Sequence, residues 1–304
     1  MIRASIDLGT NTCLLLIAEV AVAGEPVSKV LGDFAQVVRL GEGLDQNRKF
    51  KSEAMERALA CLSDYAAKVR AHGVDPAQVT CIATSQARDS GNWEEFKARV
   101  QRETGFLFKL VSGEGEASLS FRGAMLPGMD SQNTAVIDIG GGSTEFIALA
   151  GTRAVGHSLD VGAVRFTERY LRSDPVTDAE FWKCQDQIDQ ALLTLLPWRK
   201  SVSPSVALVG VAGTVTTLAA YQLELATFDA RKIDGAVLTR GDVHRQVEEL
   251  KWRTVAERLK LPGVEAGRAD VLLAGALILW RAMEVLEFQN CTVSTRGLRY
   301  GALG

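Results

Sequence analysis

The sequence is poor in the residues that build disulfide frameworks, metal cages and membrane spans. Its five cysteines (Cys13, Cys61, Cys81, Cys184, Cys291) are scattered, odd in number and without a C-x-x-C pair. That excludes a disulfide scaffold or a zinc site and points to a reducing compartment, the cytoplasm. Three histidines (His72, His157, His244) fit no metal-binding or triad spacing and read as structural. The longest apolar runs, 13–17 with its continuation and 271–280, fall short of the roughly 20 residues a bilayer requires. Only Arg3 precedes the acidic Asp7, so the start does not read as a signal peptide. Excess positive charge is missing too. With 34 Lys and Arg against 37 Asp and Glu, the net charge is −3, so no global basic surface draws in nucleic acid or a membrane. A phosphate-bearing substrate must therefore be held locally, by backbone amides, a few arginines and a metal ion.

What is present is a globular composition, 47% hydrophobic and 23% charged, in a length of 304 residues that suits two lobes. The first half reads β-β-β-α-β-α-β. Strands 2–7 and 14–20 flank a turn at 9–12; Gly24 and Pro26 break the pattern, and 27–31 with 37–40 supply a third strand. Ser52 is a candidate N-cap for a helix carrying Met55, Leu59, Leu62, Ala66 and Val69, which ends at His72-Gly73. Strand 79–84, helix 93–103 and strand 106–111 follow. The second half restarts with strands 135–138, 145–149 and 153–158, helices 163–171 and 178–196, and strand 205–209 running into a helix at Gly213-Thr214. Helices 241–259 and 268–286, strand 291–294 and a terminal helix from Thr295 complete it. Each lobe is expected to hold a five-stranded mixed sheet, with the crossover near 121–128. Phe181, Trp182 and Trp198 read as core anchors.

Both halves carry one signature. Ser-Ile-Asp7-Leu-Gly-Thr-Asn-Thr and Val-Ile-Asp138-Ile-Gly-Gly-Gly-Ser-Thr are each an apolar strand, an aspartate, a glycine turn and small hydroxylic residues, 131 residues apart. Glycine permits positive φ and close approach of a ligand to the backbone. Successive N–H groups then form a concavity for phosphate oxygens, and the strand-end aspartate can position a hydrated Mg²⁺. A third glycine loop stands at Gly210-Val-Ala-Gly213-Thr214. The pattern implies a duplicated domain.

These turns resemble those of the actin, sugar kinase and heat-shock chaperone ATPase superfamily. Within it the chain resembles the exopolyphosphatase/guanosine pentaphosphate phosphatase family. The matching segments are Ile6-Asp-Leu-Gly-Thr-Asn-Thr12, Ala83-Thr-Ser-Gln-Ala-Arg88-Asp-Ser-Gly-Asn92, Ser112-Gly-Glu-Gly-Glu116-Ala117, Ile137-Asp-Ile-Gly-Gly-Gly-Ser-Thr-Glu145, Leu159-Asp-Val-Gly-Ala-Val-Arg165, Gly213-Thr-Val-Thr-Thr-Leu218, Arg268-Ala-Asp270 and Gly297-Leu-Arg299-Tyr-Gly301. They run in family order over essentially the whole chain. The resemblance implies an α/β fold of duplicated actin-like (ribonuclease H-like) lobes, 1–123 and 124–304, with the end from about 295 packing back on the first, and an active site in the interlobe cleft. It implies Glu116 as the general base, with Asp138 and Glu145 for metal and water positioning and Asp7 as a further metal residue. Gly9, Thr10, Asn11, Thr12, Arg88, Gly140, Gly141, Gly142, Ser143, Thr144, Gly213 and Thr214 become phosphate contacts. The implied cofactor is Mg²⁺ or Mn²⁺, the implied partners are polyphosphate or guanosine pentaphosphate, and the assembly is a homodimer; the alarmone substrate would tie the chain to the stringent response.

Gly115 departs from the pattern, standing where an acidic residue often sits beside the base. Longer members carry further C-terminal helical domains, for which this chain leaves no room. Cys13 reads as a buried strand residue. Two other functions compete with hydrolysis: a kinase or ATPase of the same fold, and a nucleotide-binding regulator with little catalysis. The Ser-Gly-x-x-Glu-Ala segment favours hydrolysis, because it places a base for water where a kinase needs an acceptor pocket. Nothing in the residues chooses between polyphosphate and the alarmone; Arg88, Arg165 and Arg268 could serve either.

Overall fold

The computed structural model describes residues 1–21, 27–150 and 153–303. The break read at Gly24 and Pro26 lies outside the described residues. The chain forms two compact units, Met1–Gly123 with Leu298–Gly304, and Ala124–Gly297.

The first unit opens with β1 (Ile2–Leu8), β2 (Thr12–Val20) and β3 (Val27–Val37), then the short α1 (Leu44–Asn47) and the long α2 (Ser52–Ala71). After β4 (Thr80–Ala83) come α3 (Ser85–Asp89), α4 (Trp93–Thr104), β5 (Phe108–Leu110) and α5 (Gly113–Ala124). The sheet order is β3-β2-β1-β4-β5. β1 is antiparallel to β2 and parallel to β4, so it is the central strand, and its Ala4, Ile6 and Leu8 are buried. α2 lays Leu59, Leu62, Tyr65, Ala66 and Val69 into this core, and the Tyr65 hydroxyl donates to the Cys13 carbonyl at 3.0 Å. Ser52 is not the cap of α2: it is the first helical residue, and Lys51 precedes it without a side-chain cap bond.

The second unit repeats the plan with β6 (Thr134–Ile139), β7 (Thr144–Ala150), β8 (Arg153–Leu159), α6 (Ala163–Tyr170), α7 (Asp178–Leu193), α8 (Leu196–Ser201), β9 (Ala207–Val211) and α9 (Ala212–Gln222). It continues through α10 (Ala230–Ile233), β10 (Val237–Thr239), α11 (Arg240–Lys251), α12 (Val255–Arg258), α13 (Leu272–Val285) and β11 (Asn290–Val293). The order β8-β7-β6-β9-β11-β10 matches the first sheet strand for strand, with β10 added antiparallel at the edge. The second sheet therefore has six strands where five were expected; a three-residue strand is too short to show periodicity. α13 is buried nearly all round, which its run of Leu, Ile and Ala makes possible.

Two long helices read from the sequence are broken. The stretch from Asp178 ends at Leu193 because Pro197, lacking an N–H, starts a new turn in α8. The stretch from Arg240 ends at Lys251, and Thr254 caps α12 by a reciprocal bond with Glu257. Phe181 and Trp198 are core residues, but Trp182 is 54% exposed and is no core anchor. Its ring instead flanks the ammonium of Lys251 at 5.2 Å. After the second unit, α14 (Leu298–Gly301) packs with β1 and β2 of the first. No helix among the described residues is long and apolar enough to cross a membrane.

Candidate active site

The two aspartate turns have the same backbone. In the first, the Gly9 N–H donates to the Thr12 carbonyl at 2.9 Å; in the second, Gly140 donates to Ser143 at 3.0 Å. A Cβ at either glycine would stand 3.1 Å from that carbonyl oxygen, so both positions need glycine for close approach. The registers agree as well: Asp7 pairs with Leu14 and Ile82, Asp138 with Glu145 and Val211.

Neighbouring backbone then orients each loop. The Gly41 N–H donates to the Thr10 carbonyl, and the Val38 and Arg39 N–H groups donate to Asn11, each at 2.9 Å. In the second loop the N-terminal amides of α6 do this: Ala163 donates to Gly140 at 3.0 Å, and Val164 and Arg165 donate to Gly141 at 2.9 and 3.0 Å. Arg165 adds its Nε–H to the Gly142 carbonyl at 2.7 Å. A trans peptide aims its C=O and the following N–H in opposite directions. With their carbonyls taken, the loops turn the N–H groups of Asn11 and Thr12, and of Gly141, Gly142 and Ser143, the other way. A row of amides facing one side is an anion cradle. Gly162 permits the clamp, since a Cβ there would lie 2.4 Å from the Gly141 oxygen.

The two copies differ in what lies beside the aspartate. Paired residues of an antiparallel ladder share a face, so Glu145 joins Asp138 on one face of the second sheet, whereas Asp7 has Leu14. Glu145 is 1% exposed, and its Oε1 accepts from the Ser158 hydroxyl at 2.7 Å. Sequence reasoning missed Ser158, whose register opposite Glu145 on β8 only the sheet reveals. Arg165, a candidate substrate contact in the sequence, uses its Nε to buttress the loop.

At the third loop, Ala212 holds φ +70° and leads into α9. A Cβ on Gly213 would overlap the Arg268 guanidinium, so glycine lets that side chain lie across the loop. Burial pulls the Arg268 guanidinium down from its ordinary value, and Glu265 acts against this. The Thr214 side chain packs on Gly275 of α13, which leaves the backbone amides at the start of α9 as the groups of this loop that could meet an anion.

Glu116 sits in the first turn of α5, where Ser112 accepts at its Oγ from the Gly115 N–H (3.2 Å) and at its carbonyl from the Glu116 N–H (2.8 Å). It is 8% exposed, not a solvent-facing residue. Arg88 Nη1 donates to Glu116 Oε2 at 3.0 Å and to the Val111 carbonyl at 2.8 Å. A Cβ at Gly115 would meet Ser112 Oγ at an ordinary 3.4 Å, so no steric need explains the glycine.

Among the described residues no three His, Cys, Asp or Glu side chains converge on one metal position. The pair Asp138 and Glu145 nevertheless suits Mg²⁺, which takes one or two carboxylates and completes its shell with water and phosphate oxygens. The histidines take no part: His157 lies edge-on to Trp198, His244 stacks on Trp280 at 4.2 Å, and His72 Nδ1 donates to the Lys68 carbonyl. Cys13 is fully buried and its thiol pKa is raised by that burial.

Residues 17–304 match the profile of the Ppx/GppA phosphatase family. Exopolyphosphatase 2 of Mycobacterium tuberculosis is 35% identical over 286 residues, 91% of this chain and 88% of the relative. A bifunctional 3-dehydroquinate synthase/phosphatase of Fusobacterium nucleatum is 33% identical over 297 residues, 94% of this chain, which spans only 43% of that relative's length. The solved Aquifex aeolicus PPX-GPPA enzyme superposes with a TM-score of 0.81 at 29% identity, covering 100% of this chain and 98% of the other.

Proposed function

Because the chain belongs to the Ppx/GppA phosphatase family, we propose that it releases terminal orthophosphate from inorganic polyphosphate or guanosine pentaphosphate by attack of water. The observation that carries this reading is the duplicated turn with its amides aimed to one side, joined in the second copy by a carboxylate pair. In this reading the loops at 9–12 and 140–144 and the start of α9 hold phosphate oxygens, and Arg88 grips a non-transferred phosphate. Glu116 orients the water and accepts its proton. Asp138 and Glu145, with Asp7 as a further candidate, would hold Mg²⁺ or Mn²⁺, which neutralises phosphate charge when bound.

Phosphate release from long polyphosphate, tripolyphosphate, guanosine pentaphosphate and ATP by one purified sample tests the proposal. Release from polyphosphate or the pentaphosphate well above that from ATP is expected; release from ATP alone would favour a kinase or ATPase. For the metal, Asp138→Ala is expected to abolish turnover, and full activity in excess chelator would overturn the metal assignment.

A further inference from the structure

We propose that Arg88 has a second role: it holds the Glu116 carboxylate until a substrate phosphate takes the guanidinium over, so that the base is released only when there is something to hydrolyse. The proposal rests on the phosphoanhydride reading above.

The geometry supplies the argument. Both contacts of Arg88 run through Nη1, to Glu116 Oε2 at 3.0 Å and to the Val111 carbonyl at 2.8 Å. The Nε and Nη2 hydrogens, an edge of the guanidinium suited to a bidentate oxyanion, make neither of these bonds. The two side chains are 25% and 10% exposed, so the pair is shielded from most solvent screening yet open on the arginine side. A carboxylate that accepts from a guanidinium proton is a weaker base and is held in one orientation, so the pair restrains Glu116 from turning to water and taking its proton. A phosphate carries more charge than a carboxylate and offers several oxygens to the same fork, so it competes well for the arginine.

The backbones fix what can move. α3 and α5 leave the sheet from the adjacent parallel strands β4 and β5, whose ends are tied by the Val111 N–H to the Ala83 carbonyl. Ser112 pins the first turn of α5. Release therefore needs only side-chain rotation of Glu116 and a small shift of Arg88, with the Val111 carbonyl keeping the arginine near its post.

A double-mutant cycle on binding tests this without turnover. Imidotriphosphate, whose P–N–P bridges resist hydrolysis, is titrated calorimetrically into wild type, Glu116→Gln, Arg88→Ala and the double variant. Removing the competing carboxylate is expected to tighten binding roughly five- to tenfold when Arg88 is present. In the Arg88→Ala background the same substitution should change affinity less than about twofold. Arg88→Lys, which keeps the charge and loses the fork, should recover part of the coupling, and a thermal melt of each variant establishes that it is folded. Equal tightening in both backgrounds would overturn the proposal, because that is charge repulsion acting without Arg88. No tightening in either would also overturn it. If wild type and all variants fail to bind the analogue, the phosphate reading itself falls.

Discussion

Glu116 and Glu145 show how one residue type is given two environments by where it is anchored. Glu116 stands on a pinned helical turn with its side chain held by Arg88, an ion pair that a competing anion could open. Glu145 stands mid-sheet with one oxygen fixed by Ser158, which suits a static ligand. In the first copy of the turn the equivalents of Glu145 and Ser158 are Leu14 and Ala35, so the polar pair is specific to the second copy. Glu116→Gln should lower kcat and kcat/KM alike by about 10²- to 10⁴-fold, the contribution of a positioned base, with substrate affinity not weakened. Wild-type-like turnover would remove the residue from the mechanism. Ser158→Ala should instead raise the Mn²⁺ concentration for half-maximal activity by roughly tenfold, as for loss of a partner that orients a ligand, and Ser158→Thr should restore it. An unchanged metal requirement in Ser158→Ala would show that the hydroxyl does not serve the metal.

Helix starts in the second unit depend on carboxylates. Thr177 with Glu180, Thr239 with Asp242 and Thr254 with Glu257 form reciprocal capping pairs at α7, α11 and α12. The bond from the Thr177 N–H holds Glu180 below the usual carboxylate range, the Thr239 hydroxyl does so for Asp242, and the Thr254 N–H for Glu257. A depressed folded pKa stabilises the fold above the unfolded value and loses that contribution as pH falls through the folded one. The caps should therefore contribute fully above about pH 5 and fade below about pH 4. A triple variant Glu180→Gln, Asp242→Asn, Glu257→Gln should melt below wild type at pH 7, and the gap should narrow as the carboxylates protonate in acid. A gap that persists in acid would assign the loss to packing rather than to charge.

For the molecule as a whole, the return of the chain to the first unit is the decisive contact. The Arg299 carbonyl accepts from the Ser5 hydroxyl at 2.6 Å, and its guanidinium grips Asp33 of β3 with bonds of 2.8 and 2.9 Å. Gly301 makes the docking possible, since a Cβ there would stand 1.9 Å from the Leu119 carbonyl oxygen and 3.1 Å from the Gly123 nitrogen, both backbone atoms. Gly301→Ala should destabilise the protein by about 1–3 kcal/mol or more and lower Tm, because neither partner can rotate away. An unchanged melt would mean that α14 contributes little to holding the first unit.

The sequence by itself determined the duplication, the order of strands around each aspartate turn, and the local chemistry of the loops. Those features depend on residues close in the chain, where hydrophobic period and glycine placement act directly. It also singled out Glu116 and Arg88, through a resemblance spread along the chain. It did not reveal that these two form an ion pair, that Ser158 meets Glu145, or that Arg165 supports a loop 23 residues away. It misplaced Trp182, broke neither long helix of the second unit, and missed β10. Those outcomes were decided by strand register, by caps whose strength depends on neighbouring packing, and by side chains meeting across distant segments. Each requires the sheet to exist first, because a contact between residues remote in sequence carries no periodic signal of its own.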